Sequence, residues 1–412
     1  MEIVFINDNI AVLHSKNTEL LFNFDNGVVA GVTREAVELL DNLRKGNISK
    51  DGLNGEEKEF FEFLKDNEFI SEKQFVARKA PISAYIHLTN KCNLHCVGCY
   101  SLDEKRNKYK DMTTEEIKQA IFQLRDVGVE NLVFSGGEPL LTRNIIEIVR
   151  YAKIDCKFPN LILITNGTIF NKKILSELSK YIDTVSVSLD TYCSEGKPFL
   201  RDPNIFDKIM RSIGWLKETG NNVNILPTIH HLNSKYLEEY VKLADKLGVT
   251  ISFSILSACF EGELLNYLPN NKDLRTISQF MKNTDMAIED SSIFEKFHAE
   301  NYCGAGKTMI SVGTDGNVYP CHMLMYEEFC LGNVRKNSLK YILEHSHKLK
   351  TFRNLSVDKL SGNCTECQFR YFCGGGCRAR SYMKYGNVVS QDPYCELFRD
   401  YYSDTTKEIF GQ

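Results

Sequence analysis

Fourteen cysteines stand in this chain of 412 residues, and their distribution is far from even. Residues 1–91 hold none, Cys92, Cys96 and Cys99 crowd into one short segment, and eight more lie from Cys303 to Cys395. In a reducing compartment clustered thiols are metal ligands rather than disulfides, so two regions are expected to fold around metal. The expected compartment is the cytoplasm, because MEIVFINDN lacks the basic and apolar regions of a secretory signal. No apolar run reaches the roughly 18 residues of a membrane span. A formal net charge of −4 leaves no basic excess for nucleic acid or an anionic membrane surface. Cys156, Cys193 and Cys259 stand alone and are read as buried free thiols.

Three stretches are distinguished. Residues 1–80 are expected to form a small α+β domain. Short β-type runs (Ile3–Ile6, Ile10–His14, Glu19–Phe24, Val28–Val32) are separated by Asn, Asp and Gly, and helices are expected over Thr33–Leu43 and Glu56–Lys65. Residues 81–290 alternate. Strand-like runs at Ser83–Leu88, Asn131–Phe134, Leu161–Ile164, Thr184–Leu189, Val223–Ile229 and Thr250–Ile255 are separated by amphipathic stretches. The best marked helix follows Thr113, which has capping-box spacing to Glu116 and an apolar stripe of Ile117, Ala120, Ile121 and Leu124. Six such units predict an α/β fold, a parallel sheet curled into a partial (β/α)6 barrel, with ligands at the C-terminal ends of the strands. Residues 291–412 are cysteine-rich and are expected to be organised by metal.

The motifs fall on those strand ends. After the first strand, Cys92-x3-Cys96-x2-Cys99 brings three thiols together on one loop. A [4Fe–4S] cluster held by three cysteines leaves one iron open, whereas zinc would need a distant fourth ligand; the spacing alone admits both. Ser135-Gly136-Gly137-Glu138-Pro139 follows the second strand, where the glycines would let backbone approach a ligand and the carboxylate would pair with an ammonium. Asn166-Gly167 closes the third strand and Ser188-Leu189-Asp190 the fourth, with Arg201 beyond.

This set resembles the radical SAM enzymes. The resemblance implies that Cys92, Cys96 and Cys99 hold a [4Fe–4S] cluster, and that Gly136, Gly137, Glu138, Ser188 and Arg201 contact S-adenosylmethionine. Gly98 departs from the family, which often has an aromatic residue before the third cysteine, so the adenine contact is left open, with Tyr100 one candidate.

A second pattern lies downstream. Cys303-x12-Gly316-x4-Cys321 is followed by Cys364-x2-Cys367-x5-Cys373-x3-Cys377 and, after seventeen residues, Cys395. Cys364 and Cys367 taken alone have zinc-ribbon spacing. The seven-cysteine order resembles the SPASM extension of radical SAM enzymes, which implies two auxiliary [4Fe–4S] clusters and three clusters in all. By family order Cys364, Cys367, Cys373 and Cys395 complete one, and Cys303, Cys321 and Cys377 hold the other, with Cys330 a possible fourth ligand. Gly374, Gly375 and Gly376 are expected to turn backbone amides toward cluster sulfurs.

Such enzymes modify peptides, which implies a precursor peptide as substrate and a reductant such as flavodoxin or ferredoxin as partner. The pattern over residues 1–80 resembles the winged-helix-like element that binds a precursor's leader by adding it as a strand. The expected reaction is thioether formation between a cysteine sulfur and a carbon. The alternatives are oxidation of Cys or Ser to formylglycine by a sulfatase maturase, and carbon–carbon cross-linking or assembly of a quinone cofactor. His322 stands where sulfatase maturases commonly place an aspartate, which counts against formylglycine.

Overall fold

The computed structural model describes residues 5–407 apart from 16–17, 47, 49–51, 76–79, 100–109, 170, 196–199, 201–203 and 285–297. Tyr100 and Arg201 lie outside the described residues.

The N-terminal unit comprises β1 (Phe5–Ile6), β2 (Ile10–His14), β3 (Glu19–Asn23), β4 (Val29–Val32), α1 (Arg34–Arg44), α2 (Gly55–Asp66) and β5 (Ile70–Ser71). β2, β3 and β4 form an antiparallel sheet and β1 pairs with β5. Both helices start at side chains that satisfy their first free amides. Thr33 accepts from Ala36, and Asn54 forms a reciprocal capping box with Glu57. β3 is covered on both faces. Leu21 packs beneath the helices with Leu39, Leu40, Phe61 and Leu64, while Leu20 and Phe22 turn into the main core. There the Phe22 ring lies 5.3 Å from that of Tyr371 and 5.2 Å from that of Phe372. The unit thus has a core of its own and a second face shared with the C-terminal region.

The central sheet confirms the alternation. β6 (Ser83–His87), β7 (Asn131–Ser135), β8 (Asn160–Thr165), β9 (Thr184–Leu189) and β10 (Asn222–Ile229) lie side by side in chain order. All are parallel, and the last strand is split into β11 (Thr250–Ile251) and β12 (Ser254–Ile255). The helices between them are α3 (Thr114–Asp126), α4 (Ile145–Arg150), α5 (Lys172–Leu178), α6 (Phe206–Glu218) and α7 (Leu237–Leu247), and α8 (Asn271–Thr284) follows. Alternation along each strand separates two faces. Ala84, Ile86, Leu132 and Phe134 are fully buried in the core with Ile117 and Ile121 of α3, and the opposite face carries Tyr85, His87, Ser135, Ser186 and Asn224.

The sheet continues past the expected six strands. β13 (Met309–Val312) pairs in parallel with β6, and β14 (Asn317–Tyr319) and β15 (Gly332–Asn333) follow antiparallel. The cysteine-rich region is thereby joined to the barrel through backbone. Its remainder is more helical than expected: α9 (Leu339–His345), α10 (His347–Arg353), α11 (Arg370–Cys373), α12 (Arg378–Tyr385) and α13 (Cys395–Thr405). Among the described residues no helix is long and apolar enough to cross a membrane.

Candidate functional site

At the C-terminal ends of β6, β7 and β8 three loops are stitched together. The amide of Gly137 donates to Thr89 O at 2.7 Å and that of Glu138 to Lys91 O at 2.8 Å, just before Cys92. A Cβ on Gly136 would stand 2.5 Å from Thr89 O, and one on Gly137 2.2 Å from Lys91 O. Gly136 also has φ +134°. The glycines are thus required by the close passage of the cysteine loop.

Glu138 lies at the same junction. It is wholly buried. One carboxylate oxygen accepts from the Thr165 hydroxyl at 2.8 Å and the Leu140 amide at 3.1 Å, and the other from the Asn166 amide at 2.8 Å. The carboxylate ties the end of β7 to that of β8. The Asn166 side chain carries the link onward, donating to Asn93 Oδ1 at 2.9 Å and reaching Cys92 Sγ at 3.8 Å. Sequence reading marks Asn166 only as a strand end; its place beside Cys92 depends on a contact between residues far apart in the chain.

Within the loop Cys92 is exposed, and Cys96 and Cys99 are half-buried. The Val97 amide donates to Leu200 O at 2.7 Å. Gly98 is left-handed, φ +69°, with Leu256 and Leu264 3.3 Å from where a Cβ would stand. Two leucines from after β12 thus fill the space beside Gly98. Ser188 is half-buried on β9, opposite Leu226 of β10. Asp190 accepts the Leu200 amide at 3.0 Å.

Downstream, the thiols fall into two groups. Burial pushes the Cys321 thiol up, and the neighbouring Cys303 and Cys377 add to the effect. Burial and then Cys367 and Cys364 push Cys395 up to about 12, and Cys373 is raised by burial and Cys395. Cys303, Cys321 and Cys377 thus neighbour one another, as do Cys364, Cys367, Cys373 and Cys395. Backbone amides point at the sulfurs: Met323 to Cys321 Sγ and Phe369 to Cys367 Sγ, each at 3.4 Å, and Gly375 to Cys373. Of the three glycines, Gly375 thus bears out the expected turn toward sulfur.

This donor set fits iron–sulfur clusters. Buried neighbouring thiols resist ionisation unless a cationic centre claims them, and amide donors to sulfur suit thiolate ligands. Among the described residues no three His, Cys, Asp or Glu side chains close around a single ion. A cavity of about 590 Å³ is lined by Cys364, Cys367, Cys373 and Cys395.

Cys330 joins neither group. Its thiol donates to Gly332 O at 3.5 Å and is raised by burial, with Lys348, Asp315 and Glu327 the charged groups acting on it. Cys156, Cys193 and Cys259 are half-buried rather than fully interior. The His322 ring stacks on Tyr85 of β6, centroids 4.1 Å apart.

Residues 86–244 match the Radical SAM superfamily, and residues 303–368 match the SPASM iron-sulfur cluster-binding domain. The chain is a radical SAM enzyme with a SPASM domain. Its cofactors are accordingly [4Fe–4S] clusters and S-adenosylmethionine. This radical SAM–SPASM enzyme is 27% identical over 334 residues to the mycofactocin maturase MftC of Mycolicibacterium smegmatis, covering 77% of this chain and 83% of that one. It is 26% identical over 337 residues to an AdoMet-dependent heme synthase of Methanosarcina barkeri, covering 75% and 94%. Among solved structures, Streptococcus suis SuiB bound to S-adenosylmethionine superposes with a TM-score of 0.59 at 17% identity, over 95% of this chain and 99% of that one. SuiB has also been solved bound to its precursor peptide SuiA.

Proposed function

We propose that this radical SAM–SPASM enzyme is a maturase of a ribosomally made precursor peptide, and that it installs a thioether between a cysteine sulfur and a carbon. When bound, the loop cluster and S-adenosylmethionine supply a 5′-deoxyadenosyl radical able to take hydrogen from an unactivated carbon. Cys92, Cys96 and Cys99 would hold the loop cluster, with Asn166 steadying Cys92. Gly136, Gly137, Glu138, Ser188 and Arg201 would line the S-adenosylmethionine site, and Glu138 would also fix the shape of the loop that receives it. Cys364, Cys367, Cys373 and Cys395 would hold one auxiliary cluster, and Cys303, Cys321 and Cys377 the other.

The observation that supports the thioether is that the Cys330 thiol is turned to Gly332 O, whereas Cys303 and Cys377 stand beside Cys321. Three cysteines leave one iron of a four-iron cluster without a protein thiolate. A cysteine of the substrate has the right chemistry for that position.

The peptide reading has separate support. MftC is by its name a maturase, and SuiB, whose likeness extends beyond the barrel and SPASM regions into residues 1–80, binds a precursor. β2 and β4 are the edges of the N-terminal sheet, and an extended leader would add to such an edge as a strand. The electron source would be a flavodoxin or ferredoxin.

The test is to incubate reduced enzyme with a cysteine-containing peptide encoded beside this chain and to measure its mass before and after alkylation. A thioether removes two hydrogens and leaves one fewer cysteine to alkylate. A carbon–carbon cross-link removes the same two hydrogens with every cysteine still reactive, and that result would overturn the thioether.

A further inference from the structure

Arg378 is 2% exposed, among the largest fully buried side chains of the chain. Its guanidinium donates to carbonyl oxygens alone: Val388 at 3.0 Å, Ser390 at 2.7 Å, Gly376 at 3.5 Å and Gly375. Among the described residues no carboxylate pairs with it. The buried acid nearby in sequence, Asp392, faces Arg380 instead, at 2.8 and 3.0 Å. An arginine cannot shed its proton, so a permanent positive charge sits inside the SPASM region. Burying such a charge costs several kcal/mol unless an anion balances it.

The position of that charge is informative. Arg378 and Cys303 line one small cavity. Two of the carbonyl partners of Arg378, Gly375 and Gly376, belong to the turn that links Cys373 of one group to Cys377 of the other. Clusters held by thiolates are anionic, and net charge is one of the factors that set their potential.

We propose that Arg378 is the internal counter-cation of the auxiliary clusters and holds their reduction potentials up. The proposal rests on the ligand assignment above. Reduction adds negative charge, which a fixed neighbouring cation stabilises, so a neutral side chain at this position makes reduction harder. The alternative is a pin: two of the four carbonyl contacts secure Gly375 and Gly376, whose φ values are +88° and +71°, and the other two hold Val388 and Ser390. Lysine separates the two, because it keeps the charge and cannot span the same carbonyls.

The experiment compares the full chain with Arg378→Met and Arg378→Lys, each reconstituted anaerobically. Cys92, Cys96 and Cys99 are replaced by alanine throughout, so that only auxiliary signals remain. Iron is counted and the clusters are titrated under EPR. Arg378→Met is expected to lower the reduction equilibrium constant of at least one cluster tenfold, about 59 mV for a one-electron couple. Arg378→Lys is expected to stay at the parent potential. Unmoved potentials in an iron-replete Arg378→Met protein would overturn the proposal, as would an equal shift in both variants. Should Arg378→Met lose iron, retention of iron and potential by Arg378→Lys supports the charge, and loss by both assigns Arg378 to the pin. A parent protein without auxiliary iron would instead refute the ligand assignment, and the iron count distinguishes that failure.

Discussion

Asp392 grips Arg380 through both carboxylate oxygens, and the two side chains are 2% and 1% exposed. The same carboxylate accepts the Cys377 amide at 2.6 Å and the Tyr394 amide at 2.8 Å, one residue before Cys395. One ion pair therefore positions a cysteine of each downstream group. Its carboxyl is held below the usual carboxylate range by Arg380 and the two amides, despite the opposing cost of burial. Asp392→Asn leaves the Arg380 charge buried without its partner, which costs roughly 3–5 kcal/mol. The expected result is a protein that keeps its loop iron and loses iron from both auxiliary sites. Full iron content in Asp392→Asn would show that the pair does not shape the sites.

Gly137 offers a second test. Alanine there would place its Cβ 2.2 Å from Lys91 O, so the cysteine loop must move. Gly137→Ala is expected to lose about four irons, the content of one cluster, and with them all cleavage of S-adenosylmethionine. Auxiliary iron should remain. If Gly137→Ala keeps all its iron and loses only affinity for S-adenosylmethionine, the glycine serves the ligand directly, as the sequence alone suggests.

Removing residues 1–80 would uncover Tyr371 and Phe372, which lie beside Cys373 and pack on Phe22. The truncated chain is expected to release the auxiliary cluster near Cys373 while retaining the loop cluster. Equal iron per chain before and after truncation would restore the picture of an independent module.

His230 gives a pH dependence with a definite sign. Burial holds its imidazole down to about 4, with His231 adding to the effect. In the unfolded chain it takes up a proton near pH 6.5, so stability is present above that pH and is lost as pH falls from 6.5 toward 4. Each pH unit across that window is worth roughly 1.4 kcal/mol, which sets an upper limit of about 3 kcal/mol. Thermal melts at about pH 7 and about pH 4.5, on either side of the ordinary histidine range, should differ more for the parent than for His230→Gln. An identical difference in both would contradict the assignment.

The barrel was legible because each strand sits between strong helical stripes, such as Ile117 and Ile121 of α3, and ends at a motif. β13 was not, because four residues carry little periodicity and their pairing with Ser83–Ile86 spans more than two hundred positions. The N-terminal strands β2, β3 and β4 are legible nearly to the residue, whereas the two-residue β5 is not. Docking of that unit is not, although β3 carries a signal: Leu20, Leu21 and Phe22 run without a polar break, as a strand covered on both faces does. The grouping of the downstream cysteines followed from family order. The roles of Gly137 and Glu138 did not, since both depend on which loop crosses them.

The central claim is that the Cys303, Cys321 and Cys377 site keeps an iron open for a substrate thiol, and Cys330→Ala tests it most directly. The account predicts unchanged iron, an unchanged auxiliary spectrum, and a spectral shift when a cysteine-containing precursor is added to either protein. Loss of that cluster in Cys330→Ala, with no response of the parent protein to the peptide, would show the site closed by Cys330.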